Sequence, residues 1–177
     1  GKAMEYYQKA LKHDEHYSDA IDGAASCLYL QDKLEDALLY CETGLKQNPQ
    51  RPGLLHTYAE VCQALGFFKE AKKSYKKVIK VDSDNWEVFL DYSGMLWENG
   101  QLEEAIEVIQ SGISLQGKIP ELNYRTGSYL YMAGDKTNAF NHWNNAFLES
   151  PSKLNQIFDF CAAFENDLEI KEFFEQF

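Results

Sequence analysis

Three groups of residues in this chain could do chemistry. The first is the string Gly112-Ile-Ser-Leu-Gln-Gly117-Lys118-Ile119. Its GxxxxGK spacing is that of a loop whose backbone amides cradle phosphates while the lysine reaches them. Ile119 stands where a Ser or Thr would hold Mg²⁺, and such a loop must follow a strand and open a helix. Here Gly112 falls inside a helical pattern and Gly117 at a turn, so nucleotide binding is not expected. The second group is His13 and His16, three residues apart. Two imidazoles on one helix face could share a metal, but no third ligand is specified, and a solvated loop is the plainer reading. The third group holds the isolated His56 and His142 and the paired Glu103 and Glu104. No nucleophile stands at a readable spacing from either histidine, and two carboxylates in a first helical turn favour the helix dipole without any catalytic role. No metal, cofactor or catalytic site is expected, and the chain is read as non-enzymatic.

Cys27, Cys41, Cys62 and Cys161 show no paired spacing. A disulfide framework and a zinc site are both disfavoured. Buried, reduced thiols acting as small hydrophobes are expected, which favours the cytoplasm without excluding export.

One charged feature stands out. Lys69, Lys72, Lys73, Lys76, Lys77 and Lys80 recur at helical spacing. All six fall on one face, opposite Phe68, Ala71, Tyr75, Val78 and Ile79. A solvated face that balances nearby carboxylates is the plain reading. The sharper one is docking to an anionic surface: lipid headgroups, an acidic protein or nucleic acid.

The whole chain has 177 residues and a net charge of −11, from 17 Lys+Arg against 28 Asp+Glu. Residues 1–80 carry 12 and 11 of these, a net of +1, so residues 81–177 carry 5 and 17, a net of −12. The acidic balance argues against a dedicated nucleic-acid binder. With 45% hydrophobic and 14% aromatic residues, the chain has the composition of a folded protein. No apolar run is long enough to span a bilayer, and no leader pattern opens the sequence.

The elements that hold these residues follow a 34-residue period. Gly66, Gly100 and Gly134 lie 34 apart, and Asp32 precedes them at the same interval. Five residues after each stands an alanine: Ala37, Ala71, Ala105 and Ala139. Four further on stand Cys41, Tyr75, Ile109 and Trp143. Three more bring Gly44, Val78, Gly112 and Ala146, and another five bring Pro49, Ser83, Gly117 and Pro151. Each unit thus reads as a helix, a turn with positive φ, and a second helix whose small residues admit a close neighbour. Such a hairpin cannot bury its apolar face alone, and stacked neighbours bury it for one another.

This pattern resembles the tetratricopeptide repeat family, in the units 18–51, 52–85, 86–119 and 120–153. The matches include Ala25, Ala37 and Pro49; Tyr58, Ala59, Gly66, Ala71 and Tyr75; Ser93, Leu96, Gly100 and Ala105; and Gly127, Leu130, Gly134, Ala139, Trp143, Ala146 and Pro151. The resemblance implies an all-α, right-handed superhelical solenoid of antiparallel helix pairs. At the fourth position stand Ile21, Leu55, Phe89 and Asn123. Asn123 departs from the family pattern, so that helix is expected slightly off register, using Leu122 or Tyr124 instead. Residues 1–17 match only a second helix, with Ala3, Tyr7 and Ala10 in register, and the chain is read as a fragment of a longer protein. Residues 152–165 are expected to form one more first helix, bearing Ile157, Phe160, Cys161 and Phe164. The tail 167–177, with Phe173, Phe174 and Phe177, is expected to pack back on the last helix or on a neighbour outside the chain, so that 154–177 is a cap or partial repeat.

The resemblance further implies a working surface: the concave face of the first helices, reached from positions two, five, six, nine, twelve and thirteen of each unit. These positions include Tyr29 in the first unit and His56 and Glu60 in the second. Glu87, Asp91, Trp97 and Glu98 follow in the third. The fourth supplies Glu121, Tyr124, Arg125, Ser128 and Tyr131. Carboxylates around aromatics favour a basic or neutral peptide or helix with apolar anchors. Trp97 or Tyr131 could equally be partly core between hairpins. The Lys and Asn residues with which co-chaperone members grip a terminal carboxylate are absent, since Asp22, Ser26, His56 and Glu60 stand in their places. A protein–protein interaction module is therefore expected, with no nucleic acid and no membrane insertion. The alternatives are a non-catalytic scaffold or sensor segment of a larger enzyme or regulator, and a self-assembly module. On the convex side the six-lysine face is a second candidate surface.

Overall fold

A computed structural model describes residues 2–14 and 17–175. His16 and Phe177, which enter the metal and tail expectations, lie outside them. Every regular element among the described residues is helical. After α1 (Lys2–His13), the pairs are α2 (Ser18–Tyr29) with α3 (Leu34–Gln47), and α4 (Pro52–Ala64) with α5 (Phe68–Val81). Then come α6 (Glu87–Glu98) with α7 (Leu102–Gln116), and α8 (Pro120–Met132) with α9 (Lys136–Glu149). The segment after α9 holds α10 (Asn155–Phe160) and α11 (Leu168–Phe174), with short 3₁₀ turns at Pro151–Lys153 and Ala162–Asn166.

The turn chemistry is as the period predicts. Gly66, Gly100 and Gly134 have φ of 76°, 72° and 88°, and Asp32 adopts 58° at the same position. Glycine enters this left-handed region freely, and aspartate is one of the few other residues that tolerate it. Pro52 and Pro120 open their helices at the first turn, where a missing N–H costs nothing. Ala37, Ala71, Ala105 and Ala139 are all fully buried, because a larger side chain would hold the neighbouring helix away.

The chain forms two compact units, residues 1–88 and 89–177. In the first, Ile21, Ala25, Cys41 and Leu54 make one cluster, sealed by Leu11, Tyr40, Leu45 and Tyr58. A second cluster joins Leu28, Ala37 and Val61, with Tyr29 packed at its edge. In the second unit Trp143 is the centre, with no exposed surface. Its indole N–H donates to the Tyr124 carbonyl at 3.1 Å. Gly127 lies directly beneath the ring, and a Cβ there would come 2.4 Å from Trp143 Cδ1.

Three sequence expectations are corrected. Asn123 does not shift its helix: α8 begins 68 residues after α4, in register with two repeats. Asn123 stays at the buried fourth position because its amide is satisfied there. Nδ2 donates to the Ile119 carbonyl at 3.2 Å, and Oδ1 lies 2.9 Å from His142 Nδ1. Residues 152–165 do not form one helix. The helix stops at Phe160, and Cys161 is extended, with φ −140° and ψ 96°. Phe160 and Phe164 would share one face of a continuous helix, and the break sends them to different surroundings. Finally, Cys27 and Cys161 are only half-buried, whereas Cys41 and Cys62 are buried as expected; all four are free thiols.

Candidate functional site

The first helices of the second unit converge on an open cavity of about 480 Å³. α6 contributes Leu90, Gly94, Trp97 and Glu98, and α8 contributes Glu121, Tyr124 and Arg125. The remaining wall is Gln156, Asp159 and Phe160 of α10. The Trp97 and Phe160 rings lie 4.6 Å apart between centroids. The Arg125 guanidinium sits over Phe160 at 3.9 Å and near Tyr129 at 5.9 Å. A cation over a ring face is attracted by the ring quadrupole. Glu98 and Asp159 are exposed on the rim, while Glu121 is paired with Lys153.

Not every predicted groove residue presents a side chain here. Tyr124 and Ser128 are each 1% exposed. Tyr124 packs into the Trp143 cluster and its hydroxyl donates to the Ser150 carbonyl at 3.0 Å, and Ser128 Oγ donates to the Tyr124 carbonyl at 3.0 Å. Both side chains are therefore nearly wholly buried: Tyr124 meets the cavity only at its wall and otherwise packs with Ile157, Phe164 and Ile170, and Ser128 turns back on its own helix. Tyr131 is half-buried, stacked on Trp143 at 5.5 Å and edge-on to Phe164 at 5.5 Å. Its hydroxyl donates to Asp167 at 2.8 Å and to Glu169 at 3.2 Å. Burial first and this bond second push the Tyr131 hydroxyl upward. The same bond holds the Asp167 carboxyl below its ordinary value. Tyr131 thus clasps the start of α11 instead of standing free as an anchor.

The remaining predicted positions are partly accessible. Trp97, Asp91 and Arg125 are half-buried, and Glu87 and Glu98 are exposed. In the first unit His56 and Glu60 are half-buried on α4, with the His56 ring 6.0 Å from Tyr75, edge to face. Tyr29 belongs to a core edge. Asp19 and Asp22 are both bound by Arg51. Burial raises the Asp22 carboxyl, and Arg51 opposes that rise.

Sequence reasoning misses Phe160 as a groove residue. Its place among the apolar residues of the expected helix 152–165 reads as core, and no proline or glycine near Cys161 announces the break. The tail aromatics do pack back: Phe173 stacks on Phe140 at 4.6 Å, and Phe174 lies 5.9 Å from Trp143.

In the first unit, Lys69, Lys73, Lys76, Lys77 and Lys80 of α5 are exposed and Lys72 is half-buried. Ala71, Tyr75 and Val78 are fully buried behind them. Phe68 is not part of that buried face. It is 44% exposed, and Ser74 takes the inward place, its Oγ donating to the Leu55 carbonyl at 2.9 Å. The phosphate-loop string is dismantled by the fold: Gly112 is buried inside α7, and Gly117 ends that helix with φ 76°. His13 is exposed at the end of α1.

A tetratricopeptide repeat family model matches residues 63–118, from the end of α4 to just past α7. Over that stretch the chain matches tetratricopeptide repeats, and along its length it has the fold of such repeat proteins. Solved structures with this fold align along most of its length. The chain is similar to YrrB, described as a tetratricopeptide repeat protein with an unusual peptide-binding site, at 19% identity and a TM-score of 0.71, over 98% of this chain and 91% of that one. It is similar to TTC0263, a thermophilic repeat protein of Thermus thermophilus, at 17% identity and a TM-score of 0.73, over 92% and 89%. It is also similar to MamA of Desulfovibrio magneticus RS-1 at 15% identity and a TM-score of 0.70, over 88% and 85%. No curated protein sequence matches it. Among the described residues no helix is long and apolar enough to cross a membrane.

Proposed function

We propose that this repeat array is a non-catalytic protein–protein interaction module whose second unit receives a partner segment on the face of its first helices. The observation that carries this reading is the cavity walled by Trp97 and Phe160 and rimmed by Glu98 and Asp159. Its volume of about 480 Å³ falls within the range of roughly 300–1,000 Å³ usual for specific pockets. Recessed aromatic surface is where a partner's anchor side chain gains most, because it leaves water completely. The rim carboxylates add steering and selectivity rather than raw affinity. The partner is a peptide or helix that presents an aromatic or aliphatic anchor with basic or neutral flanks. Arg125, already seated on Phe160, fixes the ring that forms the far wall.

The test is a selection from a displayed library of natural peptides on the whole chain, with counter-selection on Trp97→Ala. Enriched peptides are expected to carry an apolar anchor beside Lys or Arg, and to lose about tenfold or more in affinity for Trp97→Ala. Enriched peptides that bind both proteins equally would place the contact elsewhere.

A further inference from the structure

The first unit carries a cleft of its own, walled by two second helices and floored in part by Leu55 and Tyr58 of α4. α3 and α5 are successive second helices, and between them lies an open cleft of about 440 Å³. Its floor is apolar, made by Leu45, Leu55 and Tyr58. Its walls carry Lys46, Lys73 and Lys77, with Glu42 and Glu70 also present. The exposed face of α5 continues the lysine row through Lys69, Lys76 and Lys80. Lysines therefore outnumber glutamates here, in a chain whose net charge is −11. Lys77 Nζ donates to the Pro49 carbonyl at 3.0 Å. One of its three donors is thereby fixed, and two remain to turn toward a ligand.

We propose that this cleft is a second docking site, which takes an acidic amphipathic helix of a partner protein. Two helices over an apolar floor offer a third helix a groove in which its apolar side chains leave water. Lysine stems extend that apolar surface while their ammonium groups stay hydrated at the edges. Carboxylates flanking the apolar stripe of the incoming helix meet Lys46, Lys73 and Lys77. A bilayer fits less well, because the apolar surface of the cleft is recessed between helices and a flat headgroup layer has nothing to insert. Phe67 and Phe68 are exposed beside Lys69, and they make a lipid surface the outcome that must be tested against.

The probe is a fluorescein-labelled synthetic helix of leucine and glutamate, its leucines at heptad spacing, titrated against the full chain by anisotropy at low salt. Its twin carries glutamine at every glutamate. Vesicles of phosphatidylserine and phosphatidylcholine form the lipid arm. The acidic probe is expected to bind, the glutamine twin to bind about tenfold more weakly, and Lys73→Glu/Lys77→Glu to lose at least about tenfold for the acidic probe. Lys73→Gln/Lys77→Gln is the second variant, used if the charge reversal disturbs the helical circular dichroism. Trp97→Ala should leave this affinity unchanged, which keeps the cleft distinct from the groove of the second unit. The proposal fails if the lysine variants bind the acidic probe as the parent does, or if Trp97→Ala abolishes that binding. It also fails if lysine-dependent binding is found for the phosphatidylserine vesicles and not for the peptide.

Discussion

The two units use one repeat alphabet with different residues, and the positions where they differ decide what each surface can do. At the position that carries the large side chain of the second helix, the first unit has Tyr75 and the second has Trp143, both without exposed surface. Tyr75 reaches the Gln63 side chain at 2.9 Å, and Trp143 reaches the Tyr124 backbone. Where α4 has Leu55, α8 has Asn123. The facing residue changes with it, from Ser74, bonded to the Leu55 carbonyl, to His142, paired with Asn123. Three residues before these stand Ala71 and Ala139, identical in both. The largest divergence is on the outer faces. Lys72 in α5 corresponds to Phe140 in α9, and Phe140 is covered by Phe173 of α11. A lysine at this position keeps α5 open to solvent, and a phenylalanine recruits a further helix onto α9. The interior positions specify the hairpin. The outer positions specify whether its back is a free surface or a second interior.

Trp143→Ala breaks this comparison most severely. Trp143 touches Tyr131, Phe140, Phe164, Phe173 and Phe174. Its removal should cost about 3–5 kcal/mol in urea unfolding, and Tyr75→Ala should cost less. Equal losses would show that the aromatic layer laid down by the C-terminal segment adds nothing. Next comes the basic residue that ends a repeat. Arg51 holds Asp19 and Asp22, and Lys153 holds Glu121. Asp22 Oδ1 is buried with no hydrogen-bond partner among the described residues. Removing Arg51 leaves that carboxylate without its cation, at about 1–3 kcal/mol. The more exposed Lys153 should cost only about 0–1 kcal/mol on change to Ala. A larger loss for Lys153→Ala would reverse the ranking. The smallest effect is a pH dependence confined to the second unit. Burial lowers the His142 pKa, so the unfolded chain binds the proton more readily than the folded one. The stability that neutral His142 supports is complete above its unfolded value of about 6.5, and is lost as pH falls through that value toward the lower folded one. His142→Ser, which copies Ser74, should flatten the fall in melting temperature over that acid range. An unchanged slope would assign the pH dependence to other groups.

The repeat itself is legible because glycine, alanine and aromatic residues recur at one interval, and each has a steric reason to stand there. The candidate groove is legible only in part. Trp97, Glu98, Glu121 and Arg125 line the cavity with the nearly buried Tyr124 at its wall, whereas Ser128 is interior. Position alone puts both on the first-helix face, and Tyr124 packs there with Ile157, Phe164 and Ile170 from beyond α9. Phe160 is the last residue of α10, and its ring meets Trp97 and Arg125 at the cavity. The helix end after it carries no local signature, and beyond it Phe164, Phe173 and Phe174 pack against Trp143. Asn123 reads as a fault in the pattern until His142 supplies its partner from the second helix.

The bonds made by Arg51 and Lys153 have a consequence for cooperativity. Each residue sits at the link between one hairpin and the next segment, and each reaches back to the first helix of the hairpin just completed. A stack of repeats melts as a row of units whose sharpness depends on how strongly each feels its neighbour. These bridges strengthen that neighbour term without enlarging the core of any single unit. Within each unit they tie the hairpin to the segment that follows it and shift that unit from fraying toward melting as a block.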